Sequence, residues 1–262
     1  MRTPFAYSLQ VARTALGFAV FGVLAALLGL VAFPVARIRP RDPMDRELWM
    51  QRVVHHVARI FMGLIDKLEV VKSVGHGVER LREAGPQIVV ANHPTLVDVL
   101  ALLACMPQAD LVVSVERRNN LFLRRLIQSC GYLCNDGGLA IVTECVDRIR
   151  AGRSLIVFPE GTRSPKRGLH RLHRGAAHIA LRVPCDLLPV VIICDPPAFG
   201  KGQKWYDLPG RAVRMMLVVG DPIATESVLE EGVTLPVAAR RLTSQLRELF
   251  EKGLDIVDAG VA

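Results

Sequence analysis

The sequence is poor in aromatic residues and has no closely paired cysteines. Aromatic side chains make up 5% of the 262 residues, and the six cysteines include no Cys-x-x-Cys pair. Single-strand nucleic-acid binders need aromatic stacking platforms, and zinc knuckles and disulfide frameworks need cysteines at regular spacing. We therefore expect reduced, mostly buried thiols, and we disfavour a nucleic-acid binder.

Nucleotide loops and metal-ligand clusters are missing as well. Gly75-x-Gly77 lacks the third glycine of a dinucleotide loop, and no Walker sequence occurs. His170 and His173 have no carboxylate or cysteine close in sequence, and the adjacent His55 and His56 point apart on a helix. We predict no metal site and no bound cofactor.

The charge is strongly positive. The chain has 33 Lys and Arg against 25 Asp and Glu, a net charge of +8, which suits nucleic acid, anionic lipid or an acidic cofactor equally well. With 51% apolar residues, 262 residues can bury one sizeable core and leave little room for a second domain.

An uncharged stretch of 23 residues, Thr14 to Ala36, is long enough to cross a hydrocarbon layer of about 30 Å. Its end has no small residues at the A-x-A spacing of a signal-peptide cleavage site. More basic residues follow the stretch (Arg37, Arg39, Arg41 and Arg46) than precede it (Arg2 and Arg13). This bias predicts a membrane anchor in 1–44 and a domain at 45–262 on the cytoplasmic side of an inner membrane. A helix that lies in the interface stays open.

The segment from Asp45 to Leu64 has apolar residues at helical spacing and charged or polar residues on its other faces. The apolar set is Trp49, Val53, Val57, Ile60, Phe61 and Leu64, and the polar set is Arg52, His56 and Arg59. Such an amphipathic helix can lie on lipid or pack on the domain.

Strand and helix patterns alternate through the rest of the chain. Strands are predicted at 68–74, 87–91, 110–115, 154–158, 186–194 and 212–219. Helices are predicted at 94–105, 121–129, 139–151, 174–182 and 234–252. This alternation predicts an α/β fold with a largely parallel, mixed sheet flanked by helices.

One apolar run ends in groups that can do chemistry. Ile88–Ala91 runs into Asn92, His93 and Pro94, and Asp98 follows. We expect Pro94 at the first helical position, His93 just outside the helix and Asp98 in its second turn. The imidazole can then fold back onto the carboxylate, which would fix its tautomer. The alternative is a helix-capping histidine with a solvated aspartate.

A second apolar run, 154–158, leads into a tight turn with opposite charges, Phe158-Pro159-Glu160-Gly161-Thr162-Arg163-Ser164. Together with Asn92-His93-x4-Asp98, in this order, the turn resembles the motifs of the glycerolipid (lysophospholipid) acyltransferase family. The resemblance covers about 65 to 225. Two further family motifs have counterparts in this chain. One is matched poorly by Gly131-Tyr132-Leu133, and the other is matched fairly by Leu188-Pro189-Val190.

The resemblance implies a membrane enzyme of phospholipid biosynthesis. It would move an acyl group from acyl-CoA or acyl carrier protein (acyl-ACP) to a hydroxyl of a lysophospholipid or related lipid. His93 would be the general base and Asp98 would orient it, and the substrate hydroxyl would attack directly, without an acyl-enzyme. The alternative is a catalytically silent lipid-binding protein of the same fold.

The resemblance also implies a set of acceptor-binding residues, which are Asn92, Glu160, Gly161, Thr162 and Arg163. A surface ion pair that closes the turn is the alternative for Glu160 and Arg163. Many family members carry an arginine six residues after the second-motif glycine, where this chain has Gly137. This departure predicts an acceptor other than ordinary lysophosphatidate, unless Arg117 or Arg118 supplies the missing charge.

Overall fold

The computed structural model describes residues 4–38, 42–83, 85–119, 121–136, 138, 140–183 and 185–258. A seven-stranded sheet forms its centre, in the order β1-β7-β6-β2-β5-β3-β4. The strands are β1 Val71–His76, β2 Ile88–Ala91, β3 Asp110–Ser114, β4 Leu133–Asn135, β5 Leu155–Val157, β6 Leu187–Asp195 and β7 Val213–Val219. All neighbouring strands are parallel except β6 and β7, which confirms the predicted mixed α/β sheet.

Helices cover both faces of this sheet. They are α1 Pro4–Leu27, α2 Phe33–Ile38, α3 Pro43–Lys67, α4 Asp98–Cys105, α5 Val115–Asn119, α6 Leu121–Ser129, α7 Ala140–Arg150, α8 Gly175–Ala180 and α9 Leu235–Asp258. The central strand β2 is buried along its whole length. Val89 and Ala91 pack towards α3 and α4, whereas Ile88 and Val90 pack towards α7, α8 and α9. Burial on both faces explains why this strand is uniformly apolar.

The structure corrects the predicted start of the helix after β2. α4 begins at Asp98, so Pro94 is not its first residue and Asp98 lies in its first turn. The Thr95 amide donates to the Asp98 carboxylate at 2.6 Å, and the Leu96 amide donates to the Phe199 carbonyl at 3.1 Å. Because these bonds hold 94–97 as a loop, helical bonding starts one turn later. The short elements β4 and α5 are not predicted, because an element of three to five residues is too short to show a clear periodicity.

The N-terminal helix is continuous from α1 through a π-helical turn, Leu28–Ala32, into α2. Over Phe5–Ala36 it is long and apolar enough to cross a membrane by length and composition alone. It also lies antiparallel along α3. Arg13 pairs with Glu69 at 2.6 Å, and the Phe21 and Phe61 ring centroids are 5.1 Å apart. Arg2, Arg39 and Arg41, which enter the predicted charge bias, lie outside the described residues.

The amphipathic helix α3 packs on the domain through one face. Its buried residues are Met50, Gln51, Val54, His55, Ala58, Phe61, Met62 and Ile65. Arg52, His56 and Arg59 are exposed, as predicted. The helix therefore packs on the domain, but the predicted apolar face is wrong by about one residue. Of the six predicted apolar residues only Phe61 is buried, and Ile60 is 60% exposed.

A buried charged cluster lies where β3 and β5 begin, and we call it the amino-edge cluster (Glu47, Gln51, Asp110, Arg148 and Arg153). Arg153 bonds both Asp110 and Glu47, the latter at 2.7 Å, and Arg148 also bonds Glu47. The Gln51 amide donates to Asp110 at 2.9 Å. The cluster ties α3 and α7 to the beginnings of two neighbouring strands.

Candidate active site

Both sequence motifs lie at the carboxyl ends of neighbouring parallel strands. His93 follows β2, the turn from Glu160 to Arg163 follows β5, and the two strands pair with Val90 opposite Val157. Ligands of open parallel sheets bind at this edge, where loops from several strands converge. The chain crossovers thus bring together two motifs that are far apart in sequence.

His93 and Asp98 form a hydrogen-bonded pair. The distance from His93 Nδ1 to Asp98 Oδ2 is 2.9 Å, the carboxylate is fully buried, and the histidine side chain is 15% exposed. The amide and the hydroxyl of Thr95 also donate to this carboxylate. Burial raises the pKa of the Asp98 carboxyl, although the bonds from His93 and Thr95 oppose this shift. The pair confirms the predicted contact, and the solvated-aspartate alternative is wrong.

This bond decides which imidazole nitrogen can accept a proton. The Asp98 oxygen is an acceptor for the Nδ1 proton, which leaves Nε2 with its lone pair available. The Phe158 ring lies against the imidazole, with centroids 4.5 Å apart and planes tilted by 31°. The side chain is therefore restrained by a carboxylate and an aromatic face.

The main chain of His93 is held from the second motif. Its amide faces Glu160 Oε1 at 3.2 Å and the Ser164 hydroxyl oxygen at 3.1 Å. Its carbonyl accepts from the Ser164 amide at 2.7 Å. Glu160 is 3% exposed, also accepts from the Ser164 hydroxyl, and accepts from the His170 amide at 2.8 Å. Glu160 and Ser164 therefore join the second motif to the histidine loop.

Asn92 is also an internal residue. It is 1% exposed and exchanges two hydrogen bonds with the Ile192 main chain, of 2.8 and 2.6 Å. These bonds lock the end of β2 to β6. Of the five predicted acceptor-binding residues, Asn92 and Glu160 thus lie inside the protein.

Gly161, Thr162 and Arg163 are more accessible. Gly161 has a φ of 66°, a conformation that favours glycine, and its amide closes a turn onto the Phe158 carbonyl at 3.0 Å. Thr162 is half-buried. Arg163 Nη1 donates to the carbonyls of Phe199 and Gly200 at 3.1 and 3.0 Å. Since Glu160 is buried with other partners, the alternative of a surface ion pair between Glu160 and Arg163 is wrong.

A second cation lies near Arg163. Burial and, next, the positive charge of Arg117 lower the pKa of Arg163. Arg117 belongs to α5, which follows β3, the neighbour of β5 at the same edge. Gly137, the position of the missing family arginine, lies outside the described residues. The negative charge of Asp98 opposes this lowering of the Arg163 pKa, so both a cation and a carboxylate act on Arg163.

Sequence reasoning missed Thr95 as a site residue, although a local signal exists. Thr95-x-x-Asp98 before an apolar run has the pattern of a helix capping box, in which the acidic side chain bonds the amide three residues earlier. The structure shows this bond, and the Thr95 hydroxyl accepts from the Val97 amide at 3.2 Å. The contact between Ser164 and His93 has no local signal, because it joins loops after two different strands.

Comparisons with known proteins find acyltransferases. The acyltransferase family model matches residues 72–193. The mouse 1-acyl-sn-glycerol-3-phosphate acyltransferase alpha is 24% identical over 86% of this chain and 76% of its own length. The yeast (Saccharomyces cerevisiae) 1-acyl-sn-glycerol-3-phosphate acyltransferase is 26% identical over 70% of this chain and 59% of its own length.

A solved structure shares the fold. The 1-acyl-sn-glycerophosphate acyltransferase PlsC from Thermotoga maritima superposes with a TM-score of 0.72, at 20% identity, over 95% of this chain and 98% of its own. The matched family region, 72–193, contains His93, Asp98 and the turn from Glu160 to Arg163. Residues 72–193 thus match the acyltransferase family, and the relatives support an O-acyltransferase.

Proposed function

We propose that the protein transfers an acyl group from an acyl-CoA or acyl-ACP thioester to the free hydroxyl of a 1-acylated glycerophospholipid. The observation that carries this proposal is the His93–Asp98 pair, whose 2.9 Å bond leaves Nε2 as the available base. The names of the relatives support the lipid acceptor.

In the proposed mechanism, His93 Nε2 takes the proton from the acceptor hydroxyl as its oxygen attacks the thioester carbonyl carbon. Asp98 stabilises the imidazolium that forms. The tetrahedral intermediate then collapses, the carbon–sulfur bond breaks, and the proton passes from the imidazolium to the leaving thiolate. General-base catalysis of this kind typically contributes about 10²–10⁴ in rate.

Direct attack by the acceptor is supported by the surroundings of Ser164. This serine is buried, and its hydroxyl donates to Glu160 rather than to the histidine. It is therefore poorly placed to act as a nucleophile activated by His93. The acceptor hydroxyl takes the part that serine has in acyl-enzyme mechanisms.

We assign the five predicted acceptor-binding residues to two roles. Asn92 and Glu160 position the histidine loop through main-chain bonds, whereas Thr162 and Arg163 contact the acceptor, with Gly161 shaping the turn between them. Arg163 suits a phosphate group, since among the described residues its guanidinium bonds carbonyl oxygens and forms no salt bridge.

The acceptor is best described as 1-acyl-sn-glycerol 3-phosphate, the compound in the relatives' names. Gly137 favours a second candidate, a lysophospholipid with a substituted headgroup, since a phosphomonoester would lose one charged contact there. The positive charge of Arg117, which acts on Arg163, would offset that loss if it reaches the acceptor phosphate. The test presents the purified enzyme with one thioester donor and a panel of lysophospholipids. A preference for a substituted headgroup would reject the first candidate, and transfer to none of them would favour the silent lipid-binding protein.

We further propose that the N-terminal helix of the 1–44 segment lies in the cytoplasmic face of the inner membrane, with the domain in the cytoplasm. The helix packs along α3, whose exposed Arg52, His56 and Arg59 suit water or headgroups better than a hydrocarbon core. Many outward residues of α1 are apolar, for example Phe5, which is 78% exposed. A soluble monomer rarely exposes such a long apolar face.

Labelling the two helix ends distinguishes an interfacial helix from a spanning one. Phe5→Cys and Ile38→Cys variants in sealed, inside-out vesicles are treated with a membrane-impermeant maleimide, and labelled peptides are read by mass spectrometry. Labelling of both positions is expected for an interfacial helix. Labelling of position 38 alone, with position 5 reacting only after detergent is added, would show that the helix crosses the membrane.

A further inference from the structure

The loop between β6 and β7, which we call the 196–210 loop, contacts the candidate active site directly. The Phe199 carbonyl accepts from the Leu96 amide and from Arg163 Nη1, each at 3.1 Å. The Gly200 carbonyl accepts a second bond from Arg163, at 3.0 Å. Leu96 lies between His93 and Asp98 in sequence and is itself 43% exposed. One end of the loop therefore forms part of the rim of the catalytic centre.

The other end of the loop contacts the N-terminal helix. The Tyr7 hydroxyl donates to the Tyr206 carbonyl at 2.8 Å, and the Gly210 amide donates to Gln10 Oε1 at 2.6 Å. The rings of Phe18 and Trp205 lie edge to face, with centroids 6.1 Å apart. The loop thus joins the apolar helix to the rim beside His93.

The outer surface of the loop combines aromatic and basic side chains. Trp205 is 44% exposed and Tyr206 is 41% exposed. Lys201 and Lys204 are exposed beside them, and Lys204 Nζ lies 5.5 Å from the centre of the Tyr206 ring. Tryptophan and tyrosine are enriched at the headgroup level of membranes, and lysine is attracted to anionic lipid. Lysine is depleted in protein–protein interfaces, so this composition favours a lipid surface over a protein partner.

We propose that the 196–210 loop is a second membrane-binding element, which places Trp205 and Tyr206 at the headgroup level of an anionic bilayer. This inference rests on the proposed action of the enzyme on membrane lipids. The surface of the loop continues from the exposed apolar face of α1, because Trp205 packs on Phe18. Through the bonds of Phe199 and Gly200, the loop then holds the rim of the catalytic centre at the layer where a lipid hydroxyl is found.

The first test measures whether Trp205 meets lipid. The full chain with Trp49→Phe, which leaves Trp205 as its single tryptophan, is reconstituted into phosphatidylcholine–phosphatidylglycerol vesicles with and without brominated acyl chains. Bromine quenches tryptophan on contact, and we expect at least about a twofold loss of emission for a residue at the interface. Equal emission in the two kinds of vesicle would overturn the proposal.

A matched control carries its tryptophan near the amino end of β6, at the other end of the strands from the 196–210 loop. Leu229 is 45% exposed, close to the value for Trp205, and follows the segment that bridges Leu187 at the start of β6. The variant Trp49→Phe, Trp205→Phe, Leu229→Trp should show little quenching in the same vesicles. Quenching at position 229 as strong as at Trp205 would mean that bromine reports no preferred face, and the proposal would fail.

The second test separates membrane docking from catalysis. The double variant Trp205→Ala, Tyr206→Ala should lose about three- to tenfold of the rate on an acceptor presented in anionic vesicles, because interfacial binding scales with buried apolar area. Its rate on a short-chain, water-soluble acceptor should equal that of the wild type. An equal loss on both acceptors would reject the docking role. Failure of the wild type on every acceptor would reject the proposed function, while the quenching result would still test the loop.

Discussion

The amino ends and the carboxyl ends of the parallel strands carry charged clusters of different character. In the amino-edge cluster each charge faces an opposite one: Arg153 lies between Asp110 and Glu47, and Arg148 also contacts Glu47. At the carboxyl edge, Asp98 and Glu160 accept from main-chain amides, hydroxyls and an imidazole instead. Among the described residues, Arg163 there has carbonyl partners and a neighbouring cation, but no salt bridge.

We expect this difference to separate a structural cluster from a functional one. A buried network whose charges are mutually paired has little left to offer a ligand, and its loss is felt in folding. A carboxylate that fixes one imidazole nitrogen leaves the other nitrogen to accept a proton. A guanidinium without an anionic partner keeps its attraction for a phosphate. The two clusters should therefore respond to mutation in opposite ways.

The largest effect is expected for His93→Ala. We expect acyl transfer to fall by about 10²–10⁴, since the general base is lost. The free energy of unfolding should change little, because the histidine side chain is near the surface and Asp98 keeps its bonds from Thr95. Asp98→Asn should be nearly as harmful to the rate. A folded His93→Ala variant that keeps most of the wild-type rate would remove His93 from its assigned role.

Arg153→Ala should show the reverse pattern. Removing one partner of a buried ion network leaves Asp110 uncompensated, and such changes typically cost about 3–5 kcal/mol of stability. Below the unfolding temperature, the folded variant should retain the kcat of the wild type. Urea unfolding followed by circular dichroism, together with an acyl-transfer assay, measures both quantities. A large loss of kcat in fully folded protein would show that the amino-edge cluster and the candidate active site are not independent.

Arg163→Ala should weaken acceptor binding. A hydrogen bond to a charged group is worth about 1.5–3 kcal/mol, so we expect the KM for a phosphomonoester acceptor to rise roughly ten- to a hundredfold. Arg167→Ala is the matched control, because Arg167 is an exposed arginine of the same basic flank. If the control raises the KM as much as Arg163→Ala, general attraction by the flank explains binding better than a defined contact.

Glu160→Gln should lower kcat and leave the acceptor KM nearly unchanged. Each Glu160 oxygen accepts from a different main-chain amide, whereas glutamine has one acceptor oxygen and an NH2 donor, so the bond to His93 or to His170 is lost. We expect about a tenfold loss of rate. Ser164→Ala, which removes the hydroxyl shared with His93 and Glu160, should move the same parameter in the same direction. A rise in acceptor KM at constant kcat would instead make Glu160 a direct acceptor ligand.

The smallest effect concerns the pH dependence of stability. Burial alone would raise the pKa of Glu47, but the bonds and charges of Arg148 and Arg153 outweigh it, so the net pKa is lowered from its ordinary 4.5. A lowered carboxyl pKa stabilises the fold above the unfolded value, and this contribution is lost as pH falls through the folded value. The difference in unfolding free energy between the wild type and Glu47→Gln should therefore shrink below about pH 4.5. A constant difference down to pH 3 would contradict this.

Much of the local architecture could be predicted from the sequence. The alternation of strands and helices, the amphipathic helix α3 and the contact of His93 with Asp98 all rest on residues close together in the chain. Periodicity reports which face of an element is buried, and proline restrictions report where a helix is unlikely to continue. The exact start of α4 was mispredicted, because the Phe199 carbonyl, from a distant loop, holds the Leu96 amide outside the helix.

The residues alone allow the α/β pattern, the contact of His93 with Asp98 and the resemblance to the acyltransferase family to be predicted. The surroundings of that pair follow only from the folded arrangement: Glu160 and Ser164 bond the main chain of His93, Arg163 bonds the 196–210 loop, and Glu47 pairs with Arg153. These partners belong to different strands and helices, and parallel strands need long crossover connections. Such contacts leave no periodic trace in the chain, because their distance along the sequence depends on the order of the strands in the sheet.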